Sequence, residues 1–417
     1  MKFNHAGFDG QPLIRRNRST FVRKSYPPTD ALTGVIYHRT CDVNPIVKWP
    51  FYFCKTSPVL LNKLVHYFSC IAILYISTRR LVQGDPQFIQ TQYPEGAVID
   101  EIQRVPELCS FIQTWVDRTK KTGLYVLTGS SQFELMHHIT QSLAGRTAIG
   151  RILPFSYSEL YGSTPESVPN LDELLYYGFF PRIHDKKLQP TEALSFYVAT
   201  YLERDVRNIL NIKEWSKFDM FLRLLAGRSG QILNIQALAS EIGLSNNTIT
   251  SWIGVLEQGN IIYKLRPYFA NLGKRLIKSP KIYILDSGLL CYLLNIFNPS
   301  VLSLHPLRGQ VFESFVVTEL LKERYNQGLP DNLYYYRDQR GLEVDLIIDE
   351  GTQLILGEIK SAATFHPDFF SSLIKVQKLL NKPCRNILFT GSPETPYLYQ
   401  GIEIRGYRHV GTMGPGY

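Results

Sequence analysis

Hydrophobic and polar positions around residue 100 follow the order of a buried strand, two acids and a helix. The apolar run 97–99 leads directly into Asp100 and Glu101. Apolar residues then recur at helical spacing, at Val105, Leu108, Phe111, Ile112, Trp115 and Val116. A continuous apolar run is typical of a parallel strand, which delivers the residues after it to the edge of the sheet where ligands bind. The pattern predicts an α/β unit with Asp100 and Glu101 at that edge.

A second apolar run, residues 124–128, predicts the next strand of the same sheet. It is closed by Gly129, Ser130 and Ser131, so we expect a serine hydroxyl beside the acids of the first strand. A helix and a third strand near residues 148–153 follow, and Arg146 lies in the loop before that strand.

Residues 233–265 have the order of a winged helix. The pattern predicts a helix over 235–242, a turn in which Ser245 is the N-cap, a helix over 246–258 and a strand over 261–265. No Lys or Arg occurs in residues 233–263, whereas phosphate contacts dominate the affinity of DNA-binding proteins. A scaffold or interaction role is therefore favoured over DNA reading, for which Asn246, Asn247 and Thr250 would be the base-contacting residues.

Two alternating runs near the C-terminus, residues 343–348 and 354–360, predict strands joined by a turn. Period-two geometry places Glu358 and Lys360 on one face of the second strand, and the first strand can bring Asp345 beside them. An upstream helix over 311–325 carries Glu313. The pattern therefore predicts a constellation of acids with one lysine on a small sheet.

The formal net charge of +9 suggests a nucleic-acid partner until its location is considered. Residues 1–84 hold 12 Lys and Arg against 3 Asp, and the remainder holds 33 of each sign, so the whole excess lies in the first fifth of the chain. The six cysteines show no metal-binding spacing, which indicates reduced thiols and a cytoplasmic location. Lys63 and His66 interrupt the apolar run 59–76, so no membrane span is expected.

Several stretches together resemble the prokaryotic AAA+-type ATPases that carry a C-terminal domain of unknown function. These are AVIDEIQRVPEL, LTGSSQ, SLAGR, TYLERDVRNILNI, NLGKRLIKSPKIYILDSGL, HPLRGQVFESFVVTEL, EVDLIID and LGEIKS. The resemblance covers roughly residues 77 to 405. It implies ATP and Mg²⁺ as cofactors, and it leaves DNA and further copies of the chain as possible partners.

The resemblance also implies residue roles in the first unit. Asp100 would be the carboxylate for the metal, Glu101 would orient the attacking water, and Ser130 or Ser131 would sense the γ-phosphate. Arg146 would reach the phosphate of a neighbouring copy in a ring.

The C-terminal pattern resembles the PD-(D/E)xK nuclease core. Asp345 and Glu358 would then hold Mg²⁺, Lys360 would orient or activate water, and Glu313 would complete the site. A fold of this kind does not by itself establish cleavage activity.

The phosphate loop of such ATPases, G-x-x-x-x-G-K-[ST], is missing from the sequence. Gly34 resembles the end of the preceding strand and the first loop glycine, but Arg39, Thr40 and Cys41 stand where Gly, Lys and Ser or Thr are due. Without the backbone cradle and its lysine, we expect impaired ATP binding. Two explanations remain open: residues from about 35 to 76 come from a shifted reading frame in a degraded gene, or the region is a selected divergence.

At 417 residues, about 150 residues per domain predicts two or three domains. We expect an α/β protein with an incomplete P-loop AAA+-type parallel sheet, a helical lid with a winged helix, and a C-terminal restriction-endonuclease-like α/β domain. The expected divisions are an atypical N-terminal region, the ATPase core, the lid, the winged helix and the nuclease-like domain, over residues 1–84, 85–165, 166–232, 233–270 and 271–417.

Overall fold

Two β-sheets organise the protein. The computed structural model describes residues 33–37, 69–72, 76–119, 121, 123–129, 143, 145–162, 168–200, 214–268, 277–380, 382–392 and 395–412. Ser130, Ser131 and most of the stretch 35–76 lie outside these residues, as do Arg39, Thr40 and Cys41.

The first sheet has five parallel strands in the order β2-β3-β4-β1-β5. The strands are β1 (Thr33–Tyr37), β2 (Ser69–Ala72), β3 (Ala97–Asp100), β4 (Tyr125–Gly129) and β5 (Thr147–Arg151). The predicted strands at 97–100 and 124–128 are confirmed, and β4 is buried along its length because both faces of a parallel sheet are covered.

Gly34 is not at the end of its strand. It pairs with Val126 on one side and Ala148 on the other, and β1 continues to Tyr37. The structure therefore places Gly34 within a strand, and its assignment as a remnant of a phosphate loop stays a prediction.

Helices α1 (Ile76–Gly84), α2 (Gln87–Gln92) and α3 (Leu108–Thr119) accompany the first sheet. The helix predicted after Val105 is α3, whose apolar stripe includes the buried Ile112 and Trp115. The Trp115 ring lies 6.1 Å from the ring of Tyr125 on β4, so the helix packs directly on the sheet.

The second sheet has nine strands in the order β13-β14-β12-β11-β10-β9-β7-β8-β6. Its strands are β6 (Gln231–Ile232), β7 (Ile262–Pro267), β8 (Lys281–Ile284), β9 (Leu333–Arg337), β10 (Glu343–Asp349), β11 (Leu354–Lys360), β12 (Cys384–Thr390), β13 (Tyr397–Tyr399) and β14 (Ile402–Gly406). Strands β9, β10 and β11 form an antiparallel meander, and β12 joins β11 in parallel.

The remaining helices pack around this second sheet. They are α4 (Tyr157–Tyr161), α5 (Leu171–Tyr177), α6 (Pro181–Lys186), α7 (Pro190–Tyr197), α8 (Trp215–Ala226), α9 (Ile235–Ile242), α10 (Asn246–Gln258), α11 (Ser287–Leu293), α12 (Pro299–Leu304), α13 (Arg308–Asn326) and α14 (Ser371–Leu379). Helix α13 is central, because most of its side chains from Val311 to Lys322 are buried.

The helix–turn–helix prediction is confirmed at both helices and at the turn. Gly243 ends α9 in the left-handed region at φ 72°, and the Ser245 hydroxyl accepts a hydrogen bond from the Thr248 backbone N–H at 3.1 Å. The pair does not form a separate unit, since Trp252 on α10 packs edge-on against Phe218 and Phe221 of α8.

One hydrophobic core runs through the expected divisions at residues 232 and 270. It extends from Leu171 to Val410 and includes side chains from both expected lid and nuclease-like regions. Strand β6 pairs with β8, and β7 pairs with β9, so hydrogen bonds also cross both divisions. Among the described residues, no helix is long and apolar enough to cross a membrane. The cytoplasmic location stays a prediction.

Candidate functional site

The carboxyl edge of the first sheet brings an acid and a hydroxyl together. Asp100 is the last residue of β3, and the Thr128 hydroxyl of β4 donates a hydrogen bond to Asp100 Oδ1. The contact follows from the register, because Ile99 pairs with Leu127 and the next residue of each strand lies on the same face. The sequence predicts a hydroxyl of Ser130 or Ser131 beside these acids, and both serines lie outside the described residues. Thr128 was identifiable as the last polar side chain inside the strand pattern.

Glu101 adopts an unusual backbone conformation for a residue with a side chain. Its φ of 58° and ψ of 40° lie in the left-handed region, and it begins the 3-10 turn Ile102–Arg104. Non-glycine residues in this region are uncommon and often occur at functional sites. The Glu101 carboxylate accepts a hydrogen bond from Gln103 Nε2 at 2.5 Å and lies 3.8 Å from Arg104 Nε, so it is engaged within its own turn.

Arg146 lies at the opposite edge of this sheet. It directly precedes β5, and the amino ends of parallel strands share the edge that is farthest from Asp100. Its guanidinium contacts Asp117 near the end of α3 through two hydrogen bonds, of 2.6 and 3.1 Å. This placement separates Arg146 from Asp100 of its own chain, and its reach to a neighbouring copy stays a prediction.

The second sheet contains a buried group of charged side chains, here called the ion cluster. It is formed by side chains from β8, α13, β10 and β11, namely Lys281, Glu313, Glu343, Asp345, Glu358 and Lys360. Four of these six residues were predicted from the sequence to lie together. Lys281 and Glu343 were not.

Asp345, Glu358 and Lys360 converge as predicted. In the antiparallel pair of β10 and β11, Leu346 lies opposite Gly357, which places Asp345 opposite Glu358 on one face. Lys360 Nζ is 2.5 Å from Glu358 Oε1 and 3.7 Å from Asp345 Oδ2. Asp345 Oδ2 also accepts a hydrogen bond from the Ile359 backbone N–H at 3.0 Å, which fixes its orientation.

Glu313 enters the ion cluster from α13 and meets two partners from β8. Its Oε1 accepts hydrogen bonds from the Tyr283 hydroxyl at 2.7 Å and from Lys281 Nζ at 3.1 Å. Alternation along β8 explains why Lys281 and Tyr283 share a face, and this was the available sequence signal for Lys281.

Lys281 bridges three acids although only 3% of its side chain is exposed. Its Nζ is 2.6 Å from Glu343 Oε1 and 3.8 Å from Asp345 Oδ1, in addition to its contact with Glu313. A buried ammonium is costly unless it is paired, and here every approach is to a carboxylate or a phenol. Lys281 is therefore the most highly connected member of the ion cluster.

Burial and charge shift the ionisation of the ion cluster. Burial, with the nearby Asp345 charge, raises the pKa of Glu358 to about 7. Burial also raises the pKa of Glu313, against the opposing charge of Lys281. For Lys281, burial lowers the pKa, but Tyr283 and the surrounding acids outweigh it, so that the pKa is raised well above its usual value.

Four carboxylates in this region face three cations. Glu313, Glu343, Asp345 and Glu358 carry −4, while Lys281, Lys360 and Arg337, which lies 2.9 Å from Glu343, carry +3. The buried Glu358 Oε2 has no hydrogen-bond partner. Burial and the excess of negative charge both favour the protonated form of Glu358, in keeping with its raised pKa.

The arrangement does not fit a divalent metal ion. Among the described residues, no three His, Cys, Asp or Glu side chains converge closely enough to hold one. Lys281 and Lys360 lie between the carboxylates, and a divalent ion needs oxygen ligands at about 2.0–2.6 Å.

The two sheets correspond to matches with known protein families. Residues 58–161 match an AAA domain, which is of the P-loop ATPase class, and residues 308–406 match the Domain of unknown function (DUF4143). Residues 168–300 match another Domain of unknown function (DUF8612), and this match contains the helix–turn–helix. The AAA match begins at residue 58, within the stretch for which a shifted reading frame was considered, and it includes β2.

Several proteins similar to this chain are described as uncharacterized. Uncharacterized proteins of Mycobacterium tuberculosis and Mycobacterium bovis are each 31% identical over 285 residues, or 67% of this chain. An uncharacterized protein of Methanocaldococcus jannaschii is 27% identical over 278 residues, covering 61% of this chain and 59% of that protein. The matched region spans 62% of the length of the mycobacterial relatives.

Proposed function

We propose that the protein contains an ATPase-like domain that binds ATP and Mg²⁺ weakly, at the carboxyl edge of the first sheet. The Asp100–Thr128 contact is the observation that carries this proposal. Strand β1 lies between β4 and β5, so the order of strands in the sheet departs from their order in the chain next to the carboxyl end of β4. Open α/β sheets bind ligands at such a point.

The residues at this edge suit Mg²⁺ in their chemistry. Asp100 is partly exposed, and carboxylate and hydroxyl oxygens are the ligands that Mg²⁺ prefers. Asp100 would hold the ion, directly or through water, and Thr128 would fix the carboxylate. The ion would neutralise phosphate charge when bound. Glu101 would orient water only after it exchanged its contacts with Gln103 and Arg104.

The missing Gly-Lys-[ST] sequence supports weak rather than tight binding. A phosphate loop offsets the desolvation of phosphate with backbone N–H groups and a lysine. Residues 39–41 have Arg, Thr and Cys where this loop requires Gly, Lys and Ser or Thr. The family-like stretch is intact on the Asp100 side, which favours retention of the metal carboxylate.

Calorimetric titration of the purified chain with ATP and Mg²⁺ tests this proposal. We expect a dissociation constant weaker than about 100 μM, which Asp100→Ala weakens further, while the distant Asp117→Ala leaves it unchanged. Low-micromolar binding that disappears in Asp100→Ala would contradict impaired binding and would require a phosphate site of another kind. Binding that is unaffected in Asp100→Ala would contradict the assignment of the edge itself.

A nuclease-like fold of the C-terminal unit, the basis of the second candidate function, is favoured by strand order. The sequence of elements α13-β9-β10-β11-α14-β12 combines an antiparallel meander with a parallel fourth strand after a helix. This is the order expected for a PD-(D/E)xK-like core, and Asp345, Glu358 and Lys360 occupy its central strands. Because the residues do not fit a divalent ion, we propose the nuclease-like fold and derive no cleavage step.

A further inference from the structure

We propose that Lys281 supplies the cation of the ion cluster, so that its ammonium group takes the place that a divalent metal would have between Glu313, Glu343 and Asp345. This inference rests on the proposed nuclease-like fold, because it explains why a nuclease-like constellation of acids does not fit a metal ion. The cluster is therefore a metal-independent, lysine-bridged site.

The position of the Lys281 ammonium supports this assignment. It lies 3.1 Å from Glu313, 2.6 Å from Glu343 and 3.8 Å from Asp345, and these acids come from two different elements. An ion placed between the same carboxylates would occupy the volume that Nζ already fills. The lysine and a metal ion therefore exclude each other.

The backbone around Lys281 holds the side chain in this place. Strand β8 lies between β7 and β6, and Lys281 pairs with Leu265 on one side and Ile232 on the other. Gly230 leaves room for the Glu313 side chain. Its φ is +84°, and a Cβ added there would come within 3.3 Å of Glu313 Oε2. Pairing on both sides fixes the Lys281 backbone, and the contacts of Nζ with Glu313 and Glu343 hold the side chain.

Charge counting points in the same direction. With Lys281 in place, a divalent ion would raise the positive charge from +3 to +5 against four carboxylates. With Lys281 removed, Lys360, Arg337 and a divalent ion together carry +4 and balance the four acids. The unpartnered, buried Glu358 Oε2 would then be available as a ligand. Loss of the lysine should thus convert the cluster into a metal site.

Thermal melting of the full chain with EDTA, Mg²⁺ or Mn²⁺ tests the proposal in Lys281→Met. The control is Lys264→Met. It removes a partly exposed lysine of the neighbouring strand β7, which pairs with Glu257 of α10. We expect wild type and the control to melt at the same temperature with and without metal. Lys281→Met should melt lower in EDTA and recover by several degrees in Mn²⁺ in a saturable manner, because the ion binds only the native state.

If Lys281→Met does not fold, the double variant Lys281→Met with Glu343→Gln replaces it in the experiment. This variant removes one negative charge together with the lysine and retains Glu313, Asp345 and Glu358 as metal ligands. A folded variant that gains nothing from Mn²⁺ overturns the lysine proposal. A wild-type gain in Mg²⁺ that Asp345→Asn abolishes also overturns it, and plasmid nicking under the same conditions would then support the nuclease candidate. Wild-type nicking is not expected, and its absence together with the variant's gain in metal supports the lysine-bridged site.

Discussion

The two acidic sites of this protein differ in how their charges are balanced. At the carboxyl edge of the first sheet, Asp100 is partly exposed and receives one hydroxyl hydrogen bond, from Thr128. In the ion cluster, Lys281 is 3% exposed and three acids approach it, while Lys360 bridges one of these acids, Asp345, to the fourth, Glu358. An acid at a strand end remains accessible to a ligand, whereas the buried acids have obtained their counter-ions from the chain itself.

Solvation explains the difference. Water stabilises a carboxylate at a sheet edge, so the fold need not provide a partner for it. A carboxylate inside a nine-stranded sheet loses that solvation, and it stays charged only when cations and hydrogen-bond donors surround it. Similar acidic motifs in the sequence therefore predict different chemistry, depending on whether the final position is an edge or an interior.

The largest expected effect comes from breaking a second buried ion pair, at the contact between α4 and α13. Lys322 is 2% exposed, and its Nζ donates to the Phe155 carbonyl at 3.0 Å and lies 3.6 Å from Glu319 Oε2. We expect Lys322→Met to lower the free energy of unfolding by about 3 kcal/mol above the pKa of Glu319, because it leaves the charged Glu319 buried without its cation. Asp100→Asn at the open edge should cost less than about 1 kcal/mol.

Urea denaturation of both variants measures this contrast. If the two variants lose the same free energy of unfolding, breaking the buried ion pair is no more destabilising than changing an acid at the open edge. A double variant, Lys322→Met with Glu319→Leu, removes both charges and should recover part of the loss. If the double variant is as unstable as Lys322→Met, the loss arises from the missing contact with the Phe179 ring, whose centroid lies 4.2 Å from Lys322 Nζ, rather than from charge.

The pH dependence of stability should sharpen the comparison with an intermediate effect. Burial raises the pKa of Glu319 to about 7, with Lys322 opposing this rise and Glu323 and Glu159 contributing to it. The native state therefore binds a proton more tightly than the unfolded chain. The stability contributed by this group is present below about pH 4.5 and is lost as the pH rises towards 7, by at most about 3 kcal/mol.

Glu319→Gln separates this contribution from the rest of the chain. A glutamine can still accept the hydrogen bond that Glu319 Oε1 receives from the Tyr157 backbone N–H. We expect unfolding free energies measured between pH 5 and about 7.5 to fall less steeply in the variant than in wild type. An unchanged slope would show that Glu319 has an ordinary pKa in the folded protein.

Local patterns in the sequence predicted the elements whose determinants are local. Helices α9 and α10 begin and end where predicted because Gly243 and Ser245 terminate and cap them through nearby atoms. The pairing of Asp345 with Glu358 was also predictable, since alternation and a short turn determine the register of β10 and β11.

Contacts between distant segments could not be predicted in this way. Lys281 is 62 residues before Glu343, and nothing near either residue indicates that β8 and β10 approach the same helix. Strand β6 has only two residues, too few for a periodic pattern, yet its pairing with β8 joins two regions that were expected to be separate domains. Both contacts are tertiary pairings, which single-sequence periodicity does not contain.

The smallest expected effect on stability concerns Arg146. Its side chain is 38% exposed and its partner Asp117 is 46% exposed, and exposed ion pairs contribute little to folding. We expect Arg146→Ala to leave the melting temperature unchanged. If copies of the chain associate so that Arg146 reaches the phosphate of a neighbour's nucleotide, the same variant should reduce association in the presence of ATP and Mg²⁺.

Asp117→Ala is the matched control, because it removes the same hydrogen bonds but keeps the guanidinium. Sedimentation velocity of both variants, with and without ATP and Mg²⁺, separates the two roles of Arg146. Reduced nucleotide-dependent association in Arg146→Ala and normal association in Asp117→Ala would support action on a neighbouring copy. Equal behaviour of the two variants would contradict action on a neighbouring copy, since Arg146 lies at the edge of the sheet opposite Asp100 in its own chain and contacts Asp117 there.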